Sequence, residues 1–84
     1  MGDSYTKRHE AVMEKGYVVS VIGMNQRSNG LGDRVDRGEI PLVTFTVEVT
    51  DVSMYDLYYS ASHDTFKEAL VDGLDYAEKR DKLK

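Results

Sequence analysis

The sequence reads as an α+β domain of order α-β-β-β-α, a three-stranded antiparallel meander with two helices packed on one face. Three observations lead there. Apolar residues recur at three- and four-residue spacing at both ends of the chain. Between them lie three runs rich in β-branched and aromatic residues, the middle one alternating cleanly. Only the turn Asp51-Val52-Ser53 separates the last two runs, which makes them hairpin neighbours. A length of 84 residues allows a single domain, 1–84, with one thin core.

The first helix is expected over Ser4 to Lys15. Tyr5, His9, Val12 and Gly16 fall on one stripe, and Met13 flanks it. Asp3 or Ser4 can cap its first free N–H groups. Lys15-Gly16 forms a stop, because a cation suits the helix C-terminus and glycine adopts the left-handed conformation. Tyr17 to Met24 reads as the first strand, with Tyr17, Val19, Val21 and Gly23 on one face. Val18, Ser20, Ile22 and Met24 occupy the other.

Residues 25–40 read as a long mobile loop, or as an extension of strands 1 and 2 into a longer hairpin. The stretch exceeds the usual connection of ~4–6 residues. Asn29-Gly30 is a turn pair, and Gly30-Leu-Gly32 lacks the remainder of any nucleotide-binding motif. Arg27, Arg34 and Arg37 alternate with Asp33, Asp36 and Glu39. Arginine can fork onto carboxylates, so these three are candidate partner contacts.

Pro41 opens the second strand, Leu42 to Thr50. Val43, Phe45, Val47 and Val49 face the core, and Thr44, Thr46, Glu48 and Thr50 face outward. The third strand is expected over Met54 to Ala61, with Tyr55, Leu57, Tyr59 and Ala61 inward and Tyr58 outward. The last helix starts near Thr65, where Thr65-x-x-Glu68 is a capping-box pattern. Its apolar stripe is Phe66, Ala69, Leu70, Gly73, Leu74 and Ala77. Glu68, Asp72, Asp75 and Lys79 then lie in water. Gly73 on the inward face implies a close approach to the sheet.

Val18, Ile22, Met24, Leu42, Thr44, Thr46 and Tyr58 would form a semi-apolar outer sheet face with no cover. Such a face more often serves a partner than nothing. Thr44, Thr46 and Tyr58 are therefore candidate contacts. Asp72 and Asp75 join them as an acidic helix face that could imitate nucleic acid before a basic groove.

Composition removes several functions. There is no Cys and there are only two His, so a disulfide framework, a thiolate zinc site and a cysteine nucleophile are absent. No nucleophile–base–orienter set can be assembled, and no metal or cofactor is expected. His9 reads as a packed or edge residue and His63 as solvated. No apolar run can span a bilayer. Met1-Gly2 with Thr6 only superficially matches an acylation pattern. The chain reads as soluble, cytoplasmic and not an enzyme.

Two resemblances add to this reading. Asp64, Thr65, Glu68, Ala69 and Leu70, following a strand, resemble the end of HicB-type antitoxins, in which a small sheet–helix domain blocks an RNase toxin. That resemblance implies an inhibitor or regulator whose partner is a protein. The element order, with Phe45-Thr-Val-Glu-Val49 in the second strand, is similar to double-stranded RNA-binding domains, which implies nucleic-acid binding. That family carries a Lys cluster where this chain has His63-Asp64-Thr65-Phe66-Lys67-Glu68. With 15 acidic against 11 basic residues and a net charge of −4, nucleic acid is disfavoured. The partner expected is a protein, a second copy of the chain included.

Overall fold

The structure is a computed structural model that describes residues 4–83. Its elements are α1 (Ser4–Glu14), β1 (Tyr17–Asn25), a short α2 (Gly32–Asp36), β2 (Val43–Asp51), β3 (Leu57–His63) and α3 (Phe66–Lys82). The sheet order is β1-β2-β3, antiparallel throughout. Helices α1 and α3 pack side by side on the sheet, α1 over β1 and α3 across all three strands. The α-β-β-β-α order is as the periodicities predict. Asp3 as an N-cap and the Gly2 pattern lie outside the described residues.

Inward side chains stand in rows across the sheet: Val19–Val49–Tyr59, then Val21–Val47–Ala61, then Gly23–Phe45–His63. Val19, Val47 and Val49 are buried together with Val12, Tyr17, Ala69, Leu74 and Ala77. On α3, the residues opposite those valines are small. A Cβ built on Gly73 would sit 2.5 Å from Val47 Cγ2 and 2.8 Å from Val19 Cγ1. Gly73 therefore sets the separation of helix and sheet, as its position on the stripe implied. At the other end of the core, Gly16 ends α1 with φ +99°, a conformation that β-carbon-bearing residues rarely adopt.

Three expectations about elements are corrected. The segment 25–40 does not extend the β1–β2 hairpin. Strand pairing stops at Asn25↔Val43. Beyond it, Leu31 N–H donates to Gln26 O, a turn of α2 follows, and Glu39 N–H donates to Arg34 O. Its local hydrogen bonds give it a fold that the lack of apolar periodicity hid.

β3 begins at Leu57, not Met54. The carboxylate of Asp51 accepts from the Ser53 hydroxyl at 2.7 Å, and Ser53 Oγ accepts from the Tyr55 N–H at 3.3 Å. This network, with Met54 at φ +63°, widens the turn to residues 52–56. Tyr55 is consequently 91% exposed, where alternation placed it inward.

The third correction is a β-bulge. Val49 pairs with Tyr59, yet Thr50 pairs with Leu57, so Tyr58 is the extra residue. The bulge reverses the inside–outside sense of everything before it. Leu57 moves to the outer row with Thr50 and Val18, and Tyr58 turns to the helix side. There the ring of Tyr58 meets Tyr17 edge-on at 6.1 Å, and the Arg80 guanidinium lies 3.9 Å above it.

Replacing Gly73 tests the close approach. Overpacking a core contact costs ~1–3 kcal/mol, while alanine gains about 1 kcal/mol over glycine in a helix. With the added Cβ 2.5 Å from a valine methyl the overpacking cost lies at its upper end, so Gly73→Ala is expected to be a net destabilisation of up to roughly 2 kcal/mol, read as a lower urea midpoint at unchanged slope. A midpoint equal to or above the parent would refute the close approach.

Candidate functional site

The sheet has one face beneath the two long helices and one face that no helix covers. The molecule measures 44 × 35 × 18 Å, and its short dimension is that of two layers. The open face is built by alternation. Row by row it presents Val18–Thr50–Leu57, Ser20–Glu48–Ser60, Ile22–Thr46–Ser62 and Met24–Thr44. Ile22 is 48% and Leu57 56% exposed. Hydroxyls dominate: Thr46 Oγ1 lies 3.1 Å from Ser62 Oγ and donates to Met24 Sδ at 3.8 Å. Among the strand positions of this face, Glu48 is the only ionisable side chain.

The segment after β1 walls one end of this face. Gln26 Nε2 donates to Thr44 Oγ1 at 2.6 Å. Leu31, Arg34, Ile40 and Pro41 rise beside Thr44 and Ser62 around a cavity of about 220 Å³. Thr44 and Thr46 thus lie where alternation placed them, and the segment carrying the arginines adjoins them.

The arginines themselves are engaged. Arg27 binds the Asp36 carboxylate, and Arg34 and Arg37 both donate to Glu39. The Arg37 guanidinium first, and then Arg34, holds the Glu39 carboxyl below the usual carboxylate range. Asp36 raises the pKa of Arg27. The three guanidiniums are answered by carboxylates of their own segment, so a partner would exchange these pairs rather than meet open cations.

The remaining candidates lie on the helix side. Tyr58 faces α3, for the reason given by the bulge, so it is not on the open sheet face. Asp72 is half-buried and not solvated, with Oδ2 accepting from Tyr59 Oη and from His63 Nε2, both at 2.7 Å. His63 is likewise the last residue of β3, paired with Phe45, and not a solvated loop residue. Hydrogen bonding to Asp72, then burial, raises the Tyr59 phenol. Asp75 accepts from Arg8 at 2.7 Å, and the same guanidinium binds Glu78 through two nitrogens at 2.8 and 2.9 Å. Lys15 reaches Asp81 at 3.1 Å. Of the acids on α3, Asp75 and Glu78 are paired by Arg8 of α1 and Asp72 is held by β3. Periodicity put these acids off the apolar stripe but could not say that a second helix and the end of β3 would lie alongside.

Chemically, the His63–Asp72–Tyr59 cluster joins three acid–base groups by short hydrogen bonds. All three members are spent on tying β3 to α3. Tyr76 extends the tie by stacking on Tyr59 at 4.5 Å and donating to the Tyr58 carbonyl at 3.1 Å. Among the described residues, no three His, Asp or Glu side chains converge to hold a metal ion. No described helix is long and apolar enough to cross a membrane.

Sequence reasoning missed Leu57, Ser60 and Ser62 as members of the open face. The signal was present in part, since Ser60 and Ser62 alternate with Ala61 and His63. Continuing the pattern backward through Tyr58 required a bulge that no local motif marks.

No family model, curated protein or solved structure matches the chain.

The Arg8 fork carries a pH prediction. Arg8, first through its hydrogen bond, lowers the Glu78 carboxyl in the folded state below its ordinary value of 4.5. The pair therefore stabilises the fold above that value, and its contribution is lost as pH falls through the folded-state value. Glu78→Gln is expected to be less stable than the parent at neutral pH and to converge on it in acid, measured by urea melts across pH. A difference that is constant with pH would show that the fork does not act through the carboxylate charge.

Proposed function

We propose that this chain is a small non-enzymatic protein-binding module, an inhibitor or regulator of the antitoxin kind. The reading rests on one observation: a hydroxyl-rich, half-apolar sheet face with a single charge and no helix over it. Ser and Thr hydroxyls supply adaptable hydrogen bonds beside scattered aliphatic residues, which suits protein recognition. The segment 25–42 supplies a rim, with Arg34 at the cavity beside Thr44. Arg27, Arg34 and Arg37 take part by exchanging Asp36 and Glu39 for partner carboxylates. The acids Asp72 and Asp75 fall out of the contact surface in this reading, because His63, Tyr59 and Arg8 occupy them.

The nucleic-acid alternative draws on the element order, which is similar to double-stranded RNA-binding domains. At the start of α3, however, Asp64 and Glu68 flank Lys67, and Lys67 lies over the Tyr5 ring at 5.7 Å. A phosphate backbone would meet little uncompensated positive charge there.

Affinity capture from the source cells tests the reading, with the parent compared to Ile22→Lys and Thr46→Lys. Both positions are solvent-accessible in the uncovered face, so folding is expected to survive, as circular dichroism would verify. The expected result is one retained protein that both variants lose. Equal retention by both variants would overturn the sheet-face reading. A shift of duplex RNA or DNA that weakens steeply with salt would replace it with the alternative.

A further inference from the structure

Ten large hydrophobic side chains are strongly exposed among the described residues, and four of them fall within six consecutive positions. Val52 is 69%, Met54 62%, Tyr55 91% and Leu57 56% exposed. They form the tip of the β2–β3 hairpin. The tip is held in shape by the Asp51–Ser53–Tyr55 hydrogen bonds, with Met54 in a left-handed conformation uncommon for a side chain of its kind. Asp51 and Asp56 bracket it, and no Lys or Arg occurs between residues 41 and 63. The Ser53 hydroxyl, before the backbone N–H groups, holds the Asp51 carboxyl below its ordinary range. The tip is thus an apolar projection with an acidic rim.

The same chain carries the complement. At the C-terminal end of α3, Tyr76, Lys79, Arg80 and Leu83 line a groove of about 200 Å³. Its floor is aromatic and aliphatic, and its rim is cationic. Leu83 is 79% exposed. The groove adjoins the tip, because Arg80 covers Tyr58, the neighbour of Leu57. Two patches that are complementary and adjacent on one surface can meet twice about a two-fold axis, each tip entering the other copy's groove.

We propose that the chain forms a two-fold dimer in which the 52–57 tip of each copy seats on the Tyr76–Leu83 groove of the other. Tyr55 is the anchor, and Asp56 faces the Lys79–Arg80 rim. The partner is a second copy, because the acidic rim of the tip matches the cationic rim of the groove, and acids would oppose an anionic membrane or a phosphate backbone. This contact lies at the hairpin pole and does not depend on the reading of the open sheet face.

Sedimentation of the full-length chain over a range of concentrations tests it. The expected species at high concentration has twice the 9.5 kDa of the monomer, and added salt weakens it. Tyr55→Ser is expected to weaken dimerisation roughly 30-fold, as for an aromatic anchor. Asp56→Lys and Lys79→Glu are each expected to weaken it, and the two together in one chain to restore it. All three positions are exposed, and thermal melts verify that the variants fold. A monomer at every concentration would overturn the proposal. So would a dimer indifferent to Tyr55→Ser, or a charge swap that fails to restore association.

Discussion

The close contact between Gly73 and the valines of the sheet governs the rest of the molecule. Ala69, Gly73 and Ala77 present almost no side-chain volume to the sheet, so at Gly73 the α3 backbone lies directly on the methyl groups of Val19, Val47 and Val49. A core this thin buries few large side chains, with Tyr17 and Leu74 the largest of them. Apolar burial at about 25 cal/mol per Å² then provides modest stability. Other interactions must fix what the core leaves loose. The Arg8 fork and the Lys15–Asp81 pair hold α1 to α3, and the Asp72 cluster holds β3 to α3. Exposed pairs of this kind contribute little singly, but a fork to two carboxylates also fixes orientation.

The same polar contacts manage the sheet edges. His9 Nε2 lies 2.9 Å from the Val19 carbonyl. A carbonyl can only accept, so Nε2 carries the proton. The Tyr76 hydroxyl does the same at the Tyr58 carbonyl. One helix thus places a side-chain donor on an edge carbonyl of β1, and another does so for β3. Capped edges are poor templates for strand addition.

How much of this could be read from the residues depends on whether local pattern or long-range placement decides the outcome. The strict alternation of Val43 to Val49 fixes the inner and outer faces of β2, and Thr44 and Thr46 are found where it puts them. Thr65 caps α3 through its hydroxyl at 3.1 Å from the Glu68 N–H, a signal wholly contained in four residues. Gly73 was legible because a glycine on a helix's apolar stripe has few other reasons to be there. Tyr58 and Leu57 were not, because one bulged residue inverts the positions before it, and Tyr55 was not, because the Asp51–Ser53 network takes it out of the strand. Asp72 and Asp75 were misplaced for a different reason. Helical periodicity separates the apolar face from the rest, but it cannot tell water from a neighbouring helix or strand end.

The distribution of charge follows from the same placements. The segment 25–40 holds three arginines and three acids, which sum to zero, and all three arginines pair with Asp36 or Glu39. Residues 1–24 also sum to zero, and residues 64–84 hold six acids against five Lys and Arg. Three of the four net negative charges therefore belong to residues 41–63, as Glu48, Asp51 and Asp56 without a compensating cation. Glu48 lies in the open sheet face, and Asp51 and Asp56 frame the hairpin tip. The net charge of the chain is thus concentrated on its two apolar surfaces, where it opposes phosphate and leaves cationic protein surface as the favourable counterpart. The net acidity of the composition therefore sits mainly on the open sheet face and the hairpin tip, although α3 carries more acids than any other element.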